Sequence, residues 1–185
     1  MSPAEVVIQS TLFESLLRCV RLDASLRERM AAAGYDPDRP RASYPASVFL
    51  RCQNLVLQAA YADRPRQEAL RQMGRDLVRG YFETLVGKVV NVALKIAGPE
   101  RAMKRVALSF RSVMEPVEIT SLELGPRDWR VTFQGYPFPA EAAAGCCEEA
   151  LRQAGAANPA RCWRPTTGAA ASSCACVGRT SVCTR

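Results

Sequence analysis

The hydrophobic periodicity of the chain changes at Pro116, and this change limits the folds that the chain can adopt. Upstream of Pro116, apolar residues recur at helical spacing in segments separated by Gly and Pro. Downstream, Val117 and Ile119 alternate with polar residues, as in a strand with one solvated face. A turn and a second alternating segment complete a hairpin, and a last helix is predicted over 139–155. This order of elements predicts an α+β fold and not a parallel doubly wound sheet.

The helical part begins and ends at recognisable residues. Asp23 is placed to cap a second helix that Gly34 ends, and Pro45 suits the start of a third. Further along, one apolar stripe is predicted to face the core from one or two helices: Leu70, Met73, Leu77, Tyr81, Leu85, Val89, Val92 and Ile96.

A specific core follows from this stripe. We expect Leu85 to be buried with Leu77, Tyr81, Val106 and Phe110, covered from the sheet by Trp129 or Phe133. Leu85→Ala should then cost about 2–5 kcal/mol.

Length and charge indicate one domain with an unusual tail. The 185 residues carry a net charge of +7, and residues 161–185 supply four of these charges without any acid. We predict a single α+β domain over 1–160 and an irregular, disordered tail over 161–185, rich in Cys and Arg. The sequence contains neither an apolar run of membrane-spanning length nor the pattern of a signal peptide, so a cytoplasmic protein without membrane contact is expected.

The residue types argue against an enzyme. The chain contains no His, which removes the commonest general base and every Ser-His or Cys-His pair. We therefore expect no catalytic residues and no cofactor. Four cysteines of the tail could form a zinc site, but Cys174 and Cys176 lack the usual ligand spacing, so unpaired thiols and no metal are predicted.

Two glycines in the long stripe point to a contact site. Gly80 and Gly87 are seven residues apart, so in one continuous helix they share a face with Thr84 and Asn91. Either a close helix contact or room for a ligand would explain glycine there, because each one costs about 1 kcal/mol in a helix. The candidates for a ligand site or an interface are Gly80, Tyr81, Thr84, Gly87, Phe110 and Arg111.

The predicted helix after Gly98 is basic on one side. Arg101, Lys104, Arg105 and Arg111 lie on or beside the side opposite its apolar stripe. This side could contact an acidic partner, but the segment lacks a recognition motif and interleaved aromatic residues. We expect no nucleic-acid binding.

Several short motifs carry a family resemblance. They are Tyr44-Pro45, Gly80-Tyr81-Phe82-Glu83-Thr84-Leu85-Val86-Gly87, Gly98-Pro99-Glu100-Arg101, Ser109-Phe110-Arg111 and Leu124-Gly125-Pro126. With them, the chain from about Leu12 to Ala157 resembles a lineage-restricted family of paralogous, uncharacterised myxobacterial proteins. Members of that family continue with two final strands, whereas this tail loses the strand pattern. The resemblance thus implies that the C-terminal strand pair is missing or disrupted, as a shifted reading frame near 158–162 would cause.

The order of elements is also similar to that of the four-vinyl-reductase-type domain, which groups with haem–nitric-oxide sensors and small subunits of vesicle-tethering complexes. This resemblance implies a dimer with an apolar cavity between helices and sheet. Without His, the haem of the sensors is excluded.

Two hypotheses for function follow from these patterns. One is a non-catalytic regulatory domain that binds a small apolar ligand in a cavity walled by Tyr81, Phe82 and Phe110. The alternative is a module for protein–protein interaction or homodimerisation, without a small ligand. A large apolar cavity would favour the first, and an exposed apolar helix face would favour the second.

Overall fold

Six helices and six strands are described in this protein. The computed structural model describes residues 5–125, 128–134, 137–157 and 175–179, with only the backbone at 106, 107, 124, 125, 128 and 175–179. The elements are, in order, β1 (Val7–Gln9), α1 (Ser10–Leu17), α2 (Ala24–Ala32), β2 (Ser43–Pro45), α3 (Ala46–Ala60), α4 (Arg66–Glu83), α5 (Leu85–Arg111), β3 (Met114–Glu115), β4 (Glu118–Gly125), β5 (Asp128–Gln134), α6 (Ala140–Gln153) and β6 (Ala175–Arg179). Helices with small antiparallel sheets make an α+β fold, as predicted.

Local signals in the sequence locate most helix ends. The Asp23 carboxylate accepts a hydrogen bond from the Leu26 amide at 2.8 Å and caps α2. Pro45 and Pro139 stand directly before α3 and α6. Gly34, just after α2, has a φ of 101°, a left-handed conformation that glycine adopts without strain.

The chain breaks its helical path at Thr84, between α4 and α5. Thr84 is extended, with a φ of −69° and a ψ of 161°. Its hydroxyl accepts a hydrogen bond from the Gly87 amide at 3.0 Å and donates one to the Tyr81 carbonyl at 2.7 Å. The side chain is therefore the N-cap of α5.

This break overturns the predicted core position of Leu85. Leu77, before the break, is buried, but Leu85 is 86% exposed. Tyr81 and Phe110 are half-buried, and the side chain of Val106 lies outside the described part of the chain. Because the helix axis starts anew after Thr84, the apolar stripe of α4 does not continue inward along α5.

A second break divides α5 at Gly98. Gly98 has a φ of 77° and a ψ of 171°, and Pro99 follows it. The half after Pro99 packs on the hairpin: Met103 is buried, and the Phe110 ring meets the Phe133 ring edge-on at 5.2 Å. The two halves of α5 therefore have different surroundings.

The described strands form two three-stranded antiparallel sheets, in the orders β2-β1-β3 and β4-β5-β6. In the predicted hairpin, Ile119 stands opposite Phe133, and both are buried, as alternation requires. The register shifts between Glu123 and Gly125. Arg130 stands opposite Leu122.

One strand of the tail is present. Residues 175–179 form β6 and pair with β5, so the prediction of an irregular tail is wrong for these five residues. The predicted domain boundary at 160 and the other tail residues, 161–174 and 180–185, lie outside the described residues.

Helices α4 and α6 cross at two facing glycines. A Cβ added at Gly74 would overlap the Ala142 carbonyl, and one added at Gly145 would overlap the Arg71 carbonyl. Only glycine lets the two backbones approach so closely. In the same hydrophobic core, an aromatic cluster joins α1 and α3, with Phe13 stacked on Tyr35 at 4.4 Å and edge-on to Phe49 at 5.0 Å.

Candidate functional site

The first half of α5 exposes a continuous apolar surface. The exposed fractions of its five large side chains are 86% for Leu85, 58% for Val86, 71% for Val89, 59% for Val92 and 79% for Ile96. We call these five residues the apolar α5 face. An exposed apolar side chain is ordinary alone, but five of them on two or three turns of one helix are not.

The spacing of the face defines a seam and two edges. At about 100° per residue, Leu85, Val89, Val92 and Ile96 fall within one narrow arc, the seam. Their 4-3-4 spacing is the one that helices use when they pack side by side. Two exposed lysines, Lys88 and Lys95, lie along one edge of the seam, and Val86 with Ala93 along the other.

The charge around this surface has one sign. No acidic residue occurs between Glu83 and Glu100, so the lysine edge is the only charged border of the face within the helix. The opposite, inner side of the helix carries Gly87, Asn91 and Leu94, which are buried or half-buried. The Asn91 side-chain oxygen is the one buried side-chain acceptor among the described residues that lacks a hydrogen-bond partner.

The structure separates Gly80 from Gly87. The prediction that they share one helical face is wrong, because Gly80 lies in α4 and Gly87 lies in the first turn of α5. A Cβ on Gly80 would lie 2.7 Å from the Ser15 carbonyl, so α1 and α4 touch closely there. A Cβ on Gly87 would overlap the Tyr81 carbonyl, which keeps the turn at Thr84 tight.

The other candidate residues are spread over the molecule. Tyr81 is half-buried beside Phe82, with ring centroids 5.8 Å apart, and burial raises the pKa of its hydroxyl. Phe110 packs on the sheet, and Arg111 is exposed at the end of α5. Tyr81 therefore lies near the end of α4, and Phe110 lies near the end of α5 against the second sheet.

Two surface grooves in the described part of the molecule are lined by residues other than these aromatic ones. One, of about 530 Å³, is lined by Arg111, Glu115, Pro116, Val117, Glu118 and Gln134. The other, of about 510 Å³, runs from Cys19 and Asp23 to Ala59 and Ala60. Neither groove contains Tyr81, Phe82 or Phe110.

A charged network joins α4 to α6 beside the glycine crossing. The Glu148 side chain is 1% exposed and accepts hydrogen bonds from Arg71 and Arg75, the latter at 3.0 Å from Nε. Glu149 is equally buried and pairs with Arg79 at 3.1 Å and with Arg152. Both carboxylates are thus fully engaged by arginines.

Within this network, the Glu149 carboxyl group is held in its charged form. Burial opposes ionisation of Glu149, but hydrogen bonds from Arg79 and Gln153 outweigh it and lower the pKa of the carboxyl group. A carboxylate held ionised by several donors is a poor general base. We assign these residues to the stability of the α4–α6 pair.

A second polar cluster lies at the end of α3. The Tyr61 hydroxyl donates to Asp76 at 2.9 Å, and Asp76 also accepts from Gln72 and Arg79. Cys19 is nearby, and burial raises the pKa of its thiol to about 12. Because the thiolate is the nucleophilic form of cysteine, this burial lowers the reactivity of Cys19.

The basic side of α5 is solvated and partly paired. Arg101, Lys104, Arg105 and Arg111 are exposed. Lys104 pairs with Glu100 at 2.9 Å and with Glu123 at 3.7 Å, and it lies 5.7 Å from the Trp129 ring. Through these contacts Lys104 stabilises the local structure.

The described ranges contain neither a cluster of metal ligands nor a membrane span. There, no three or more Cys, Asp or Glu side chains come together as metal ligands. None of the helices that the structure describes combines the length and apolarity needed to cross a bilayer.

Sequence reasoning missed both the apolar α5 face and the arginine–glutamate network. The signal for the first was Thr84, an N-cap residue three positions before a buried glycine, which starts a new helix. The signal for the second was the pair Glu148-Glu149, since it interrupts the apolar side of α6 with charge. Arginines four residues apart on α4 supply the matching charges.

The fold and this surface define an α+β domain that presents an apolar helix face. The chain belongs to the family described as protein of unknown function (DUF2378), whose pattern matches residues 6–172. No curated protein matches the chain. The lineage restriction and the four-vinyl-reductase-like layout stay predictions from the sequence.

Proposed function

We propose that this chain is a non-catalytic protein–protein interaction domain whose docking surface is the apolar α5 face and whose occupant is an amphipathic helix. The observation that carries the proposal is the exposure of Leu85, Val86, Val89, Val92 and Ile96 on one helix. Covering such a surface is favourable, because apolar area leaves water.

The apolar area of the surface supports a role in binding. Full burial of one Val, Leu or Ile side chain stabilises by about 1.5–3 kcal/mol, which corresponds to roughly 60–120 Å² each. The five side chains thus expose roughly 200–400 Å² of apolar area. Patches of about 300–600 Å² on monomers often mark interaction sites.

The shape of the surface favours a helix as occupant. The seam is straight, as long as the first half of α5, and spaced for side-by-side helix packing. A small ligand would need a concave site, whereas this surface is the convex side of a helix. The hypothesis of a small apolar ligand between helices and sheet stays a prediction, and native mass spectrometry of the purified protein tests it.

Residue-specific photo-crosslinking in the native host tests the docking surface. A photoreactive amino acid at Val89 should crosslink to protein, and the adduct should disappear when Leu85→Asp is added. The matched control is the same photoreactive residue at Leu108, which is 65% exposed in the other half of α5. Adducts to lipid, equal adducts at both positions or none at Val89 would overturn the proposal.

A further inference from the structure

We infer that the helix bound at the apolar α5 face is the same segment of a second copy, packed in parallel about a two-fold axis. This inference rests on the proposed function and names its partner. The seam, the two edges and the area of the face carry it.

A second copy supplies a seam of matching length and spacing. In a two-fold parallel pair, Leu85, Val89, Val92 and Ile96 each meet their own counterpart in the partner. Every layer is then apolar on both sides. No other described segment is needed to complete the contact.

The single lysine edge selects the parallel orientation. In an antiparallel two-fold pair, the same edges of the two helices meet, so Lys88 would lie beside the partner's Lys95. In a parallel pair, opposite edges meet, and a lysine of one helix lies beside the residue five positions later on the other, so Lys88 lies beside the partner's Ala93, while the position that would face Lys95 falls beyond the break at Gly98. Lysine stems can cover such apolar side chains while their ammonium groups stay in water.

The area of the face sets the strength of the pair. Two copies would bury roughly 400–800 Å² through these side chains, which is the size of weak, reversible interfaces. The break at Gly98 ends the seam after about two heptads, so a longer coiled coil cannot increase the buried area. We expect a reversible dimer with a Kd on the order of 1–500 μM.

Salt dependence separates the possible partners. The parallel pair brings no like charges together, so its Kd should change less than about threefold between roughly 0.05 and 0.5 M salt. An antiparallel pair should tighten as salt screens its lysines. A foreign partner with acidic flanks should bind more weakly as salt rises.

Disulfide trapping reads the orientation directly. In the parallel pair, Leu85→Cys alone should form a disulfide between the two copies of position 85 under mild oxidation, and Ile96→Cys alone should link likewise at position 96. In an antiparallel pair, each single variant would leave its new thiols roughly 16 Å apart, and only a mixture of the two variants would link. Peptide mapping by mass spectrometry distinguishes these links from those of native cysteines.

Leu108→Cys is the matched control, since it places an exposed thiol on the other half of α5 and should form no link. Leu85→Asp should weaken the dimer by roughly 100-fold or more in sedimentation equilibrium, while Leu108→Asp should leave it unchanged. A disulfide that forms only in the mixture of the Leu85→Cys and Ile96→Cys variants overturns the parallel orientation. Absence of any self-association overturns the second copy as partner. If Val89 then crosslinks to a foreign protein in cells, the interaction function holds and this inference alone fails.

Discussion

The α4–α6 crossing and the first half of α5 contain the same residue types, but the first forms an internal contact and the second forms an exposed surface. Both contain a glycine in a helix, an apolar pattern and basic side chains. At the crossing, Gly74 and Gly145 bring two backbones together, and the arginines on the contact find buried carboxylates. In α5, Gly87 only tightens the preceding turn, and the apolar residues face solvent.

The difference lies in what stands opposite each helix. Helix α4 has α6 within the chain, so its small residues and charges are satisfied internally. The outer side of α5 has no such element among the described residues, although its sequence is equally apolar. Periodicity therefore identifies an apolar side of a helix, but it does not say whether another element of the chain covers that side.

The strongest test of the comparison is a bulky residue at the crossing. Gly145→Leu should destabilise the protein by about 4 kcal/mol or more, because the new side chain overlaps the Arg71 carbonyl and the two helices must separate. Urea denaturation measures the change. Ala93→Leu, on the exposed edge of α5, is the control and should change the free energy of unfolding by less than about 0.5 kcal/mol. Equal effects of the two substitutions would show that the crossing is not close.

The next test removes a buried carboxylate. Glu148→Ala should cost about 2–4 kcal/mol, since it leaves Arg71 and Arg75 without their partner. Breaking a fully buried ion pair can cost more, but these arginines are partly exposed, so water replaces part of the lost interaction. Glu83→Ala removes an exposed partner of Arg18 and should cost less than about 1 kcal/mol. A loss of stability in Glu148→Ala no larger than in Glu83→Ala would contradict the assigned role.

A smaller effect is expected from acid. Because the folded pKa of Glu149 is lowered, its contribution to stability is complete above the ordinary value of 4.5 and is lost as pH falls through the lowered value. Denaturation midpoints between roughly pH 6 and pH 3 should therefore fall less steeply for Glu149→Gln than for the wild type. Parallel curves for the two proteins would show that the carboxylate gains nothing from Arg79 and Gln153.

The smallest effect is expected on the apolar α5 face itself. Leu85→Ala should change the stability of the dilute protein by less than about 0.5 kcal/mol, since the side chain is 86% exposed. Leu77→Ala, a buried counterpart in α4, should cost about 2–5 kcal/mol. A large loss for Leu85→Ala in dilute solution would place Leu85 in the core, as the sequence pattern alone predicts.

Much of the fold is predictable because local chemistry determines it. The Asp23 cap, the prolines before α3 and α6, and the alternation of the hairpin act within a few residues. The burial of Leu85 was mispredicted because the Thr84 side chain caps a new helix, so the helix axis of α4 does not continue into α5. The Glu148 contacts could not be predicted from periodicity, since Arg71 is 77 residues away along the sequence.

The local arrangement around Thr84 differs from the single helical face that the sequence predicts. Thr84 and Gly87 do belong to one local arrangement, but as a cap and a tight turn at the start of α5. Phe110 and Arg111 serve other surfaces. The apolar α5 face was predicted to be core, because a buried helix side and an exposed apolar helix side carry the same pattern of apolar residues.

The glycine crossing also constrains how this sequence can evolve. A larger residue at position 74 or 145 has no room unless the opposing backbone moves, and loss of Glu148 leaves two arginines to be replaced as well. Single changes on either helix should therefore be selected against, whereas paired changes across the helices survive. In an alignment of relatives, positions 71, 75 and 148 should vary together, while the seam positions of α5 should vary with whatever surface covers them.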